Sequence, residues 1–518
     1  MSIVTGRDAG GQALFEPKER ARLARFLASP WLTAGLVLLA IAQQAVGHID
    51  IDVSWLVTLA EKYLDGQVPY AEVMEVNPPV SFLSLVPAVL VARALHVAVE
   101  PVVVAFVTIL GCSSLWLSGF ILRFGAARSI RERGLLLNGG IYLFLVVPEI
   151  TFAEREHFAL LTIAPMLAGL AVYRSNGRLP LAARLCAGVG AAIAISFKPI
   201  FVLAIIVPAL AIAWRERSFR VFFTMEMWTA AVLSIVHVAA IGLFFPAYFS
   251  HAAPLVLDVY TVARESVQNF LAHTLAPVYL ALSLALMFLA RGSIPRRETQ
   301  TALWASLGFF ACFILQGKGW INHAYPAVAL VFLAWLSFLF DQLRLSRKHA
   351  APISDHWLVK FFFIPALFAA PAFFGAANQL ANIEEHPGLR DAILRYAPPR
   401  PRMIALAFQP DIGHPVARQV GATWVGRQSA LWISASVGYL WDHSADGSPY
   451  RARLANYRRE DVAIFAEDVE RAKPDVILVE DPRIREWAAR QPETADVLAS
   501  YERVANARDV EIWTRRAN

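Results

Sequence analysis

Long apolar runs dominate this sequence and decide what it can fold into. They fall at 30–46, 80–97, 101–122, 134–149, 157–173, 181–196, 200–214, 226–246, 273–290, 301–315, 324–340 and 357–376. Apolar runs of roughly 15–20 residues or more mark candidate membrane helices. The shorter ones imply tilt or burial among neighbours. Composition agrees: 57% of the 518 residues are hydrophobic, only 17% are charged, and mean hydropathy is +0.49. A polytopic membrane protein is expected. The mixed polar segment 1–29 is long for a signal-peptide n-region, so the first helix is expected to be retained. Cys112, Cys186 and Cys312 each sit inside an apolar run, which argues against a disulfide framework or a zinc site. No basic tract alternates with aromatics, so the net charge of +6 is topology information and no nucleic-acid partner is expected.

Orientation follows from Lys and Arg, which collect in cytoplasmic loops. The basic segments hold Lys18, Arg20, Arg22 and Arg25; Arg123, Arg128, Arg131 and Arg133; Arg174 and Arg178; Arg215, Arg217 and Arg220; Arg291, Arg296 and Arg297; and Arg344, Arg347 and Lys348. From residue 101 onward this alternation works throughout. It fails if 80–97 also crosses. That segment begins at Pro78-Pro79, carries Pro87 in its middle and has Arg93 and His96 near its end, so it is expected to lie in the outer interface. The expectation is an α-helical polytopic protein with about 11 transmembrane helices plus interfacial helices. Its segments are a cytoplasmic 1–29, a membrane domain 30–376 and an outer domain 377–518.

In the outer domain charged residues return. Short apolar strands ("MIALAF", "DVILVE", "VEIW") alternate with helical stretches such as 458–472. That predicts a small C-terminal α/β domain. No dinucleotide fingerprint or phosphate-loop glycine pattern accompanies it, so no nucleotide is assigned.

The loops 47–100, 150–156, 247–272 and 316–323 are expected to share the outer face with this domain. They carry the unusual charges. Asp50 and Asp52 stand at the edge of the first span, where Asp also serves as a helix N-cap. "FAEREHF" packs Glu154, Arg155, Glu156 and His157 into one short turn. Ionisable groups at membrane depth are usually paired and functional, although a polar turn would also carry some. "QGKGWINHAYP" offers Lys318, Trp320, Asn322 and His323, which equally suit an interfacial Trp/Lys belt. Lys198 in "SFKPIF" stands where a snorkelling lysine would. "NPP" at 77–79 is a helix-start device.

The stretch Asp52-Val-Ser-Trp-Leu-Val-Thr-Leu-Ala-Glu-Lys-Tyr-Leu, followed by Glu75-Val-Asn77-Pro-Pro, resembles the first outer loop of GT-C-fold glycosyltransferases. The nearest types are the protein O-mannosyltransferases and the lipid A aminoarabinose transferases. In them an acid follows the first span, an amphipathic helix runs along the membrane and a Pro-Pro helix follows. Their second outer loop also bears an acid, a place that Glu156 takes here. The likeness covers about residues 1–375. The aminoarabinose branch has Glu-Lys-Pro-Pro where this chain has Glu75-Val76-Asn77-Pro78, so a phosphate contact has to come from elsewhere.

The resemblance implies an inner-membrane enzyme working on the periplasmic face. It would move a sugar from a polyprenyl-phosphate donor to a glycan, lipid or protein acceptor, with inversion. Asp52 would be the base for the acceptor hydroxyl, and Glu156 would orient the acceptor or a metal. Arg155, Lys198 and Lys318 would neutralise the departing phosphate. Asp50, Glu75, Asn77, His157, Trp320 and His323 complete the expected substrate contacts. Glu75, Glu156 and His323 could gather a divalent cation, the one cofactor considered. Two other classes fit the same span pattern. One is a flippase for a lipid-linked saccharide, which would favour mid-span charges or an inverted repeat. The other is a non-catalytic assembly subunit, which needs no Asp52 and Glu156 pair.

Overall fold

The computed structural model describes residues 22, 25–47, 49–125, 129–174, 179–292, 295–345, 386–444 and 446–516. Helix α1 (Pro30–Val46) starts where Ser29 accepts a hydrogen bond from the Leu32 N–H, with proline at its first position. Both features favour a helix start. The chain then bends by 82° into α2 (Ile51–Leu64). An α1 that crosses a membrane therefore leaves α2 lying along its surface.

The segment after α2 folds back over it as a short turn of helix, Val80–Leu83, and α3 (Val86–Leu95). The Phe82 ring packs on Tyr63 at 5.4 Å. Arg93 donates to the Glu61 carbonyl at 3.2 Å and pairs with Asp65 at 2.9 Å. Both ends of this hairpin thus rest on α2, and Val80–Leu95 is shorter than the helices long enough to cross a membrane.

The remaining helices are α4 (Val99–Leu122), α5 (Ile130–Ile141), α6 (Arg155–Ala171), α7 (Leu181–Phe197), α8 (Leu203–Glu216), α9 (Met225–Phe244), α10 (Ala276–Leu289), α11 (Arg297–Gln316) and α12 (Ile321–Leu345). Every residue of α6 is buried, so this helix is the axis of the bundle. Among the described residues five helices are long and apolar enough to cross a membrane, or up to seven if each bent pair counts as one span. The expected spans at 157–173 and 181–196 are the 17-residue α6 and α7. The expected span at 357–376 lies outside the described residues. The basic loops meet at one end of the bundle: Arg174 and Arg297 both reach Glu216, at 3.4 and 3.5 Å, and Arg215 donates to Gln300 at 2.9 Å.

The C-terminal region supplies α13 (Leu389–Tyr396), β1 (Arg402–Leu406), β2 (Thr423–Trp424), α14 (Trp432–Asp442), α15 (Pro449–Ala472), β3 (Val476–Val479), α16 (Pro482–Ala489), β4 (Tyr501–Ala507) and β5 (Val510–Arg515). The sheet order is β2-β1-β3-β5-β4. β1 runs parallel to β2 and β3, and the β4–β5 hairpin adds antiparallel to β3. β3 is wholly buried, as a central strand covered on both faces must be. The three apolar stretches read as strands lie at β1, β3 and β5, and 458–472 falls inside α15.

This sheet region sits on the loops expected to share its side. Met74 N–H donates to the Arg427 carbonyl at 2.7 Å, and Arg453 pairs with Asp258 at 2.9 Å. The loops 47–100 and 247–272 are therefore on one face with the C-terminal region.

Candidate active site

The site is built at the N-terminus of α6. The chain enters it through a π-helical turn, Tyr142–Val146, and a 3-10 turn, Glu149–Thr151. Glu149 and Ala153 take left-handed backbone conformations, φ 48° and 65°. Such residues cost energy unless their surroundings fix them. His157 does the fixing. Its Nδ1 accepts from the Ala153 N–H at 3.0 Å, which leaves the proton on Nε2 to donate to the Phe144 carbonyl at 2.6 Å. Both ring nitrogens are consumed by backbone. The structure thus gives His157 a scaffolding task in place of the substrate contact that sequence suggests.

Glu154 caps α6 by accepting from the Arg155 N–H. The next two side chains diverge. Arg155 reaches α2 and pairs with Asp52 at 2.5 Å, with Glu154 at 3.7 Å behind it. Its buried Nε, the atom facing Glu154, makes no hydrogen bond. Glu156 turns to the end of α7, where Oε1 takes Lys198 Nζ at 2.5 Å and lies 3.4 Å from His323 Nε2. Its Oε2 is buried and unpartnered. Lys198 occupies that place because Pro199 ends the helix and forces extended backbone at Lys198, φ −148° and ψ 119°,. Its ammonium also donates to Gln316 at 2.5 Å and to His323 Nε2 at 3.1 Å. With Nε2 accepting, the His323 proton lies on Nδ1, which is buried and unpartnered.

The first outer loop corrects one detail. Asp50, not Asp52, is the N-cap of α2, accepting from the Asp52 N–H at 2.8 Å. Asp52 is thereby relieved of capping, and its side chain is 40% exposed. Burial pushes Asp50 up, and the charge of Asp52 adds to this, while a hydrogen bond with Glu154 opposes it. Burial, then the charges of Asp50 and Asp52, hold Glu154 well above the usual carboxylate range. These surroundings favour the neutral form of Glu154 beside Asp50.

Glu75 and Asn77 form a closed turn. Glu75 Oε2 accepts from the Trp55 indole at 2.7 Å, and Oε1 accepts from Val76 N–H, Asn77 N–H and the Asn77 amide. The Tyr70 hydroxyl donates to the Asn77 carbonyl at 2.6 Å. Both carboxylate oxygens are spent on organising the turn under α2. Glu75, Glu156 and His323 consequently do not assemble into a ligand set. Among the described residues no three His, Cys, Asp or Glu groups could hold a metal ion.

Lys318 stands between two left-handed glycines, Gly317 and Gly319, φ 63° and 74°. They let the α11–α12 turn project its side chain back over the site. Its ammonium donates to the carbonyls of Tyr260, at 2.5 Å, and Ala263. It also lies 4.3 Å from the Tyr260 ring centre. Burial, then Arg264 and Lys198, pull its pKa down to about 8. Trp320 packs against His323 with ring centres 5.1 Å apart and planes tilted by 43°, and it is 47% exposed.

The structure thus brings Asp52, Arg155, Glu156, Lys198, Lys318, Trp320 and His323 into one neighbourhood, with Asp50 behind Asp52. Sequence reasoning missed Tyr260, which lies within electrostatic reach of Arg155, Glu156 and Asp52, and Gln316. The only sequence signal for Gln316 is an amide closing an apolar run. Tyr260 gave none beyond its place in an outer loop.

No protein-family model matches the chain. No curated protein matches it in sequence. Solved structures do. The helix bundle with its small C-terminal sheet is a fold shared with ArnT. The crystal structure of ArnT from Cupriavidus metallidurans bound to undecaprenyl phosphate aligns over 94% of this chain and 98% of its own, with TM-score 0.56 and 13% identity. The apo ArnT structure from the same organism aligns over 93% and 97%, with the same score and identity.

Proposed function

We propose that this protein is a membrane glycosyltransferase that moves a sugar from a polyprenyl-phosphate donor to a hydroxyl acceptor with inversion. The periplasmic face of the inner membrane is its proposed place of work. The observation that carries the reading is the juxtaposition of a half-exposed carboxylate, Asp52, with buried cations at the mouth of α1. The fold it shares with an undecaprenyl-phosphate-bound ArnT supports it.

Asp52 takes the proton of the acceptor hydroxyl as that oxygen attacks the anomeric carbon. The bond to the lipid phosphate breaks on the opposite side, and the phosphate leaves as an anion. Arg155 holds Asp52 in place and keeps an Nε–H that no hydrogen bond uses. Lys318 is the readiest phosphate contact, because its partners are neutral carbonyls, whereas Arg155 and Lys198 are already ion-paired. Lys198 fixes Glu156, whose free oxygen can accept from a sugar hydroxyl. The His323 Nδ1–H is a donor beside it. Preorganised charge of this kind is the usual largest contribution to such catalysis.

The test is purified protein in nanodiscs with polyprenyl-phosphate sugars and envelope acceptors, scored for transfer. Donor that crosses the bilayer without sugar transfer would replace this reading with the flippase one.

A further inference from the structure

Helix α2 is gripped on the face turned away from Asp52. Ser54, Thr58 and Glu61 lie about 180–240° around the helix from Asp52 at 3.6 residues per turn. All three meet the C-terminal region. Arg418 pairs with Glu61 at 2.8 Å through Nη1, and its Nη2 donates to Glu61 at 3.1 Å. Its Nε pairs with Glu100 at the start of α4 at 2.6 Å, and Nη1 lies 3.5 Å from the Thr58 hydroxyl. His414, fully buried, places Nδ1 3.4 Å from the Ser54 hydroxyl and its ring edge-on to Trp55 at 5.6 Å.

From these contacts we propose that Arg418 is a positioning residue, which sets where α2 holds Asp52 relative to Arg155. One guanidinium spans two membrane-half carboxylates, Glu61 on α2 and Glu100 on α4. It therefore ties the position of α2 to the bundle and not merely to the sheet. A planar fork suits two carboxylates in a way an ammonium does not. The same seam borders an open cleft of about 400 Å³ lined by Glu61, Arg93, His96, Glu100 and Arg418. Shortening Arg418 enlarges an existing space and leaves close-packed core intact.

The proposal rests on Asp52 being the base, and its two readouts fail separately. The first is hydrogen–deuterium exchange of α2 in the full-length protein, wild type against Arg418→Ala. Amides of residues 52–60 are expected to lose protection while α6 and α7 keep theirs. The second is transfer kinetics. Misplacing a reacting group by about 1 Å can cost about 10²-fold, so kcat should fall about 10- to 100-fold while donor KM changes less than about twofold. Arg418→Lys, which keeps one ion pair, should recover part of the loss. Should Arg418→Ala fail to fold, Glu100→Gln and Glu61→Gln carry the same test. Unchanged α2 protection overturns the positioning role. Lost protection with undiminished transfer overturns Asp52 as base instead. An equal fall for Arg418→Lys and Arg418→Ala in Tm and kcat together reduces Arg418 to a purely structural bond.

Discussion

Lys318 shows at the residue scale how burial converts a strong cation into a conditional one. Its proton is held to about pH 8 because burial, with Arg264 and Lys198 nearby, disfavours the charge. A lysine whose folded pKa is lowered loses its charge as pH rises through that value. Donor phosphate affinity should therefore be full below pH 8 and weaken above it. Lys318→Arg, charged throughout, should flatten the profile. Donor Kd from pH 6.5 to 9.5 reads this directly, and a flat wild-type profile would remove Lys318 from the phosphate site. Asp52 supplies the second residue-scale prediction. Loss of a general base typically costs about 10²–10⁴-fold in rate, so Asp52→Asn should abolish most transfer and spare donor binding. The helix start survives in that variant because Asp50 makes the cap. Asp52→Asn protein that transfers at near the wild-type rate would move the base elsewhere. That Asp50 makes the cap and leaves Asp52 free of it was not legible in "GHIDID", where either carboxylate fits either role.

At the scale of elements, the turn 149–157 is the part that sequence could least resolve. Four ionisable groups in seven residues pointed to function, and for Arg155 and Glu156 the structure supplies partners on two different helices. His157 looked equivalent, yet it closes a left-handed turn. A pattern of residue types does not reveal backbone φ at Ala153, so it could not separate the clamp from the ligand contacts. His157→Phe should leave a buried N–H and a buried carbonyl unpaired, at about 1–3 kcal/mol each. Thermal unfolding in detergent should show a clear drop in Tm, with donor Kd of the folded protein preserved. A selective loss of donor affinity at wild-type Tm would return His157 to the substrate contacts. The interfacial hairpin was the opposite case. Charge parity required one segment not to span, its prolines with Arg93 and His96 pointed to 80–97, and the structure lays both ends of that segment on α2.

For the whole molecule, the sequence carried the helical bundle and the small sheet well, because hydrophobic periodicity is local information. The crossing count is a prediction, because a helix buried on every side, such as α6, needs no lipid-matched length. The side of the membrane is a prediction as well. The loops at 47–100 and 247–272 contact the C-terminal region, and the basic ends gather away from them. Reporter fusions after residues 125 and 217 should read cytoplasmic, and fusions after 260 and 400 periplasmic. A split between 260 and 400 would contradict the single outer face.

Asp258 accepts hydrogen bonds from Arg453 and Tyr457, while Arg418 clasps Glu61 and Glu100. These ionic seams stitch the two halves of the chain at separate points around one opening. Their consequence is for modularity. A C-terminal region grafted from another protein of this shape would arrive with cations in the wrong register. The chimera would carry two well-formed halves and a misaligned centre. Exchange with another protein of this shape should succeed only when residues 61, 100 and 258 travel with the graft, so the exchangeable unit is the seam and not the domain.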